Sequence, residues 1–202
     1  MLGAGAVLAA LGTAWGLRTM DYERVPRVAL LSAAFFVASL IHIPIGGASV
    51  HLVLNGLVGL VLGWAAFPAI LVALVLQSVF FGFGGLTTLG VNTLVMALPA
   101  VVVYGLFHRV VRRGEIRAAF AAGLGAGALA IVLGAGLLAG LLWGAGKQLS
   151  VLAAAVLLTH LPLAVLEALV TASAVVFVRK VRPELLDVPL FPAVSERLHE
   201  GT

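Results

Sequence analysis

The 202-residue sequence has no cysteine and very little charge. Without thiols there is no disulfide framework and no thiolate metal site. Asp, Glu, Lys and Arg supply 10% of the residues, against about 25% in soluble domains. That is too little polar surface for a soluble enzyme or a DNA-binding domain, and both are excluded. Also missing are H-E-x-x-H, a Walker A lysine, G-x-S-x-G and a ring of charges suited to a channel filter. Any ATP hydrolysis the process needs must come from a partner. The first apolar run has no basic segment before it, so no cleavable signal peptide is expected.

What is there is hydrophobic. The apolar set makes up 62% of the chain and the mean hydropathy is +1.20. This composition predicts a polytopic membrane protein built almost wholly of spanning segments. The pI of about 10.4 does not signal nucleic acid. The twelve Lys and Arg fall in short clusters between apolar runs, as membrane topology requires. The 24 glycines are scattered through those runs among alanines, which suits close helix–helix packing in lipid.

The apolar runs are 1–17, 28–45, 51–82, 91–108, 118–144 and 149–178. A β-barrel would need alternating polarity, so the spans are read as helices. The run 51–82 is long for one span and short for two. Gly63, Trp64 and Pro68 interrupt it, and proline suits a helix start, so it divides into 51–63 and 67–82 as a tight hairpin. The expected fold is all-α, a seven-transmembrane-helix bundle. Residues 1–182 form one transmembrane domain and 183–202 a short cytoplasmic tail.

Charge sets the expected orientation. With the N-terminus outside and the C-terminus cytoplasmic, Arg18, Arg24, Arg27, Arg109, Arg112, Arg113, Arg117, Arg179, Lys180, Arg182 and Arg197 all fall inside. Only Lys147 falls outside. A single helix over 51–82 would put the first two clusters on opposite sides, against the positive-inside rule.

Polar groups are costly in lipid and are functional candidates there. Three clusters stand out. "IHIPIGGASVHL" (Ile41 to Leu52) ends one predicted helix, turns, and starts the next at His51, with Ser49 as its expected N-cap. His42 and His51 flank the turn and can converge. Neutral imidazole suits nickel, copper, zinc and cobalt-like ions. Hydrogen bonding at the helix ends is the other reading of each histidine. "FGFGGLTTLGVN" (Phe81 to Asn92) offers Thr87, Thr88 and Asn92 on a glycine-rich loop, which either connects two helices or folds inward to wall a site. "THLPLAVLEALVT" (Thr159 to Thr171) carries His160 and Glu167 on one helix face, two turns apart. Glu167 is the one acid inside a predicted span. Interhelical glue, a proton relay and a cation ligand are its readings, with glue the expected one. His160 lies nearer the outer side, within reach of the site.

With these residues in view, the stretch "IPIGGASVHLVLNGLVGLVLGWAAFPAILVALVLQSVFFGFGGLTTLGVNTLVMALPA" (Ile43 to Ala100) resembles the CbiM/NikM family. These are the substrate-binding membrane subunits of energy-coupling-factor (ECF) cobalt and nickel importers. "THLPLAVLEALVTA" and "VRKVRPELL" resemble the last helix of that family and its exit, so the resemblance covers about 28–186. It implies a seven-helix bundle in a bacterial or archaeal plasma membrane, with Ni²⁺ or Co²⁺ as transported substrate and no permanently bound cofactor. It also implies CbiQ/NikQ-like coupling and CbiO/NikO-like ATPase partners, and a small CbiN/NikN-like membrane subunit.

In that family the metal is held near the outer face by the N-terminal amine, a histidine at position two and the histidine of an S-x-H turn. Here the turn is Ser49-Val50-His51, so His51 inherits the ligand role. Leu2 occupies the second position and has no donor atom. The expectation is that the Met-His segment lies upstream of Met1, and the alternative is a divergent member with an altered site. Phe83 stands where many relatives carry a polar residue, which weakens the case for any ligand from this loop. Two other functions compete with metal capture. One is a subunit of the same class that binds an organic micronutrient such as a vitamin. The other is a non-transporting membrane paralogue.

Overall fold

A computed structural model describes residues 2–45 and 48–186, with 43–45 and 48–50 described as backbone only. Among these residues the chain forms seven α-helices and one short hairpin. The helices are α1 (Leu2–Arg18), α2 (Val25–Ala38), α3 (Asn55–Leu62), α4 (Ala66–Phe81), α5 (Leu89–Arg113), α6 (Ile116–Ala145) and α7 (Ser150–Val181). The hairpin strands are β1 (His42–Ile45) and β2 (Ala48–His51), paired antiparallel. The tail beyond Leu186 lies outside the described residues.

Two expected helix ends are corrected by the hairpin. The helix expected over 28–45 stops at Ala38, and the one expected from His51 begins at Asn55. Pro44 cannot donate to a helix and turns the preceding residue toward extended geometry. Ser49 therefore lies in a strand and does not cap α3, and its side chain is outside the described residues. The other helix ends shift by one to five residues, within ordinary fraying at helix termini for most of them.

The interrupted run reverses direction at Gly63. Its φ of +58° with ψ of −125° is open to glycine and strained for other residues. A Cβ there would meet the Tyr104 ring at 3.3 Å. Both limbs open toward the hairpin. The lower limb, α3, follows directly after His51. At the other limb's end, Phe81 stacks on Phe83 with ring centroids 5.6 Å apart, and Phe83 lies 5.5 Å from the His42 ring. The tip, Gly63–Ala65, packs against the C-terminal end of α1, where Trp15 meets Trp64 edge to face at 6.4 Å.

Small residues set the packing. In α6, Ala119, Gly123, Ala126, Gly127 and Ala130 are buried. A Cβ on Gly127 would lie 2.8 Å from the Cα of Ala168 on α7. Helices in lipid gain little from apolar burial, so this close van der Waals approach carries their association. Outward, α7 exposes Val151, Leu158, Leu161, Val165 and Phe177, an apolar face suited to acyl chains. By length and composition four apolar helical stretches, 86–113, 116–145, 147–181 and the stretch 55–81 that turns back at Gly63, reach membrane-spanning length, and Leu2–Arg18 is a shorter apolar helix.

The basic clusters meet at the end opposite the hairpin. Arg27 Nη1 donates to the Leu185 carbonyl at 3.4 Å, and Arg179 Nη1 donates to the Gly114 carbonyl at 2.7 Å. His108 Nε2 donates to the Leu186 carbonyl at 2.8 Å. The α1–α2 joint, the α5–α6 joint and the exit of α7 are thus tied together.

Candidate metal site

The hairpin register pairs His42 directly with His51. Directly paired residues project to the same face of a two-stranded ribbon, so the sequence spacing of nine resolves into neighbouring rings. Their centroids are 6.2 Å apart with a 63° interplanar angle. The ladder continues through Leu52 N, which donates to the Ile41 carbonyl at 3.1 Å.

Each histidine uses one ring nitrogen locally. His42 Nδ1 faces the Leu40 carbonyl at 3.0 Å, and His51 Nδ1 faces the Leu52 carbonyl at 3.3 Å. His160 Nδ1 faces the Val156 carbonyl at 2.7 Å. A carbonyl only accepts, so Nδ1 must carry the hydrogen in each such bond. In the neutral rings this leaves Nε2 as the lone-pair donor, the arrangement that metal-binding histidines use.

Burial keeps His51 neutral. Desolvation holds its pKa below the ordinary 6.5, the Leu52 carbonyl works in the opposite direction, and the nearby His42 and His160 add to the lowering. His51 therefore lies within electrostatic reach of both other imidazoles, with α7 packed against β2.

Glu167 lies behind the hairpin and is fully buried. Its Oε1 accepts from Val53 N–H in a short bond and from Leu54 N–H at 2.8 Å. Its Oε2 lies 3.0 Å from Leu54 N. The carboxyl thus serves the N-terminal end of α3, where Leu54 is held at φ +59°. It ties α7 to the segment that leads into α3. Leaving those buried N–H groups without an acceptor would cost about 1–3 kcal/mol each.

The glycine-rich loop behaves differently from the hairpin. Thr88 Oγ1 donates to the Gly84 carbonyl, and Asn92 Nδ2 donates to Thr88 Oγ1 at 3.2 Å. These side chains brace the loop against the first turn of α5. Thr87 is exposed. The loop's contribution to the His42 side is the Phe83 ring, an apolar wall with no donor atom.

The structure therefore brings His42, His51 and Phe83 together, with His160 near and Glu167 beneath. Thr88 and Asn92 form a separate local network. Among the described residues no three His, Cys, Asp or Glu side chains converge as a metal cluster. His108 was not singled out by the sequence, because it stands at the end of an apolar run beside Arg109. Its signal is the spacing of four from Tyr104, whose ring lies 4.4 Å away.

Comparison with known proteins agrees with this architecture. Residues 1–185 match the family model described as CbiM, cobalt uptake substrate-specific transmembrane region. A Haemophilus influenzae protein named for metal transport is 46% identical over 187 residues, covering 91% of this chain and 90% of that protein. The fused nickel transport protein NikMN of Rhodobacter capsulatus is 40% identical over 200 residues, covering 89% of this chain but 58% of the longer relative. A crystal structure of a truncated transition metal transporter shares the fold, with a TM-score of 0.69 at 24% identity over 89% of this chain and 93% of that one. The chain belongs to the CbiM family of substrate-specific membrane components of cobalt and nickel transport.

Proposed function

We propose that this chain is the substrate-specific component of an ECF-type importer, capturing Co²⁺ or Ni²⁺ at the outer face for ATP-driven uptake. The observation that carries this reading is the directly paired His42 and His51, each with Nε2 free, at the end away from the basic clusters. Nitrogen donors suit both ions. Two imidazoles leave most coordination positions open for other nitrogen or water ligands. His160 is the nearest further imidazole on α7.

The gathering of Arg27, Arg179 and His108 contacts at the opposite end supports a cytoplasmic placement of that end. In this reading the chain crosses the membrane seven times, with the N-terminus outside, in a bacterial or archaeal plasma membrane. The basic end then faces a CbiQ/NikQ-like coupling subunit and CbiO/NikO-like ATPases. The fused form of the nickel relative favours a small NikN-like companion.

Complementation with radioactive cobalt or nickel tests the reading. H51A in the full chain, co-expressed with the coupling and ATPase subunits, should lose uptake by at least about tenfold, the loss typical of a removed ligand or its support. H42A should show a smaller loss. Wild-type uptake in H51A would contradict the site.

A further inference from the structure

The peptide between Leu52 and Val53 faces two ways. Its carbonyl takes His51 Nδ1 at 3.3 Å, and its N–H donates to Glu167 Oε1. A trans peptide holds these two groups in one plane on opposite sides. A continuous line of hydrogen bonds therefore runs from the Glu167 carboxyl, through one peptide group, to the His51 ring. The next peptide N–H, at Leu54, is bound to the same carboxyl at 2.8 Å.

The segment has little freedom elsewhere. Leu52 N–H is tied to the Ile41 carbonyl at 3.1 Å. Leu54 sits at φ +59°, a conformation that a non-glycine residue keeps only when its surroundings impose it. Val53 and Leu52 are buried. If the peptide rotated, the Leu52 carbonyl would leave Nδ1 and the ring would lose its fixed tautomer and direction. The carboxyl is the group that stops this rotation. Metal-binding histidines are commonly held by a carboxylate acting directly on the ring. Here the carboxylate acts one peptide away, from a different helix.

We infer that Glu167 is a positioning residue for metal capture, orienting His51 through the Leu52–Val53 peptide. It touches no metal itself. The inference rests on His51 being a metal ligand, and it adds that the last long helix, α7, sets the ligand's geometry.

The test measures Co²⁺ affinity and the visible Co²⁺ spectrum of the purified full chain, with the apo thermal midpoint as a control. E167A should weaken Co²⁺ binding by about 10–100-fold, the usual cost of losing an outer support of a ligand. E167D keeps the charge but falls one methylene short, and it should weaken binding to a similar degree. E167Q still offers an oxygen to Val53 and Leu54 N–H, and it should recover most of the affinity and the wild-type spectrum. Wild-type affinity in both E167A and E167D would overturn the inference. So would E167Q binding as poorly as E167A, since charge rather than orientation would then be at work. H51A separates the two levels: if it binds Co²⁺ like wild type, the ligand reading itself fails, whatever the Glu167 variants do.

Discussion

At the scale of the residue, the proposed metal capture rests on His51. Its pKa is depressed by burial and by its imidazole neighbours, so the folded chain takes up that proton less readily than the unfolded chain. Between the depressed value and about 6.5 the unfolded state binds more protons, and stability rises with pH across that window. The contribution is complete above about 6.5 and is lost as acid drives the pH down through the window. In the proposed site metal competes with the same proton, because Nε2 must be unprotonated to ligate. Co²⁺ affinity should therefore hold to a lower pH than an ordinary histidine would allow and then fall. Titrations of affinity and thermal midpoint against pH, with H51Q alongside, check this; H51Q should flatten the acid limb of the stability curve. The convergence of His42 and His51 was legible in the sequence from two histidines flanking a proline-glycine turn. Their directly paired register was not, because a short apolar run reads alike as helix or strand. Glu167 stood out as the one acid in a predicted span, yet its partners at Val53 and Leu54 lie more than a hundred positions earlier in the chain. No local pattern records such a pairing.

At the scale of the element, the reversal at Gly63 decides where the site sits. The break was legible because Gly63, Trp64 and Pro68 interrupt an otherwise uniform apolar run. The hairpin after α2 was not legible as a strand pair, since Ile41, Ile43 and Ile45 extend the apolar character of the preceding helix. G63A forces a side chain onto a backbone at φ +58° and against Tyr104. It should destabilise the protein by about 1–3 kcal/mol, the range for such backbone strain, and lower the thermal midpoint in detergent. G127V should act similarly through a different cause, by wedging α6 from α7 where a Cβ already meets Ala168. An unchanged midpoint in both would mean that the helices are not packed as described. G127V also presses on the Glu167 backbone, the nearest group to a Cβ at this position, so metal affinity should fall beyond the loss of stability.

At the scale of the whole molecule, the proposed metal capture lies at one end and the arginines at the other. The absence of cysteine makes this simple to check. K147C should react from the outside of intact cells with a membrane-impermeant maleimide, and R113C should react only after the membrane is opened. The same labelling of both positions from one side would refute the orientation. The gathering of the basic clusters at one end was legible because lysine and arginine placement is set by insertion rather than by packing. The strapping of Leu185 and Leu186 to Arg27 and His108 was not, since it joins residues 158 and 78 positions apart.

In the proposed site the hairpin imidazoles hold the transported ion through Nε2. X-ray absorption on the Co²⁺-loaded chain measures this directly, because ordered imidazole ligands give characteristic outer-shell scattering. Imidazole scattering is expected in the wild type and should drop by one ring in H51A, with the lost positions taken by water oxygen. Identical spectra for wild type and H51A would contradict it.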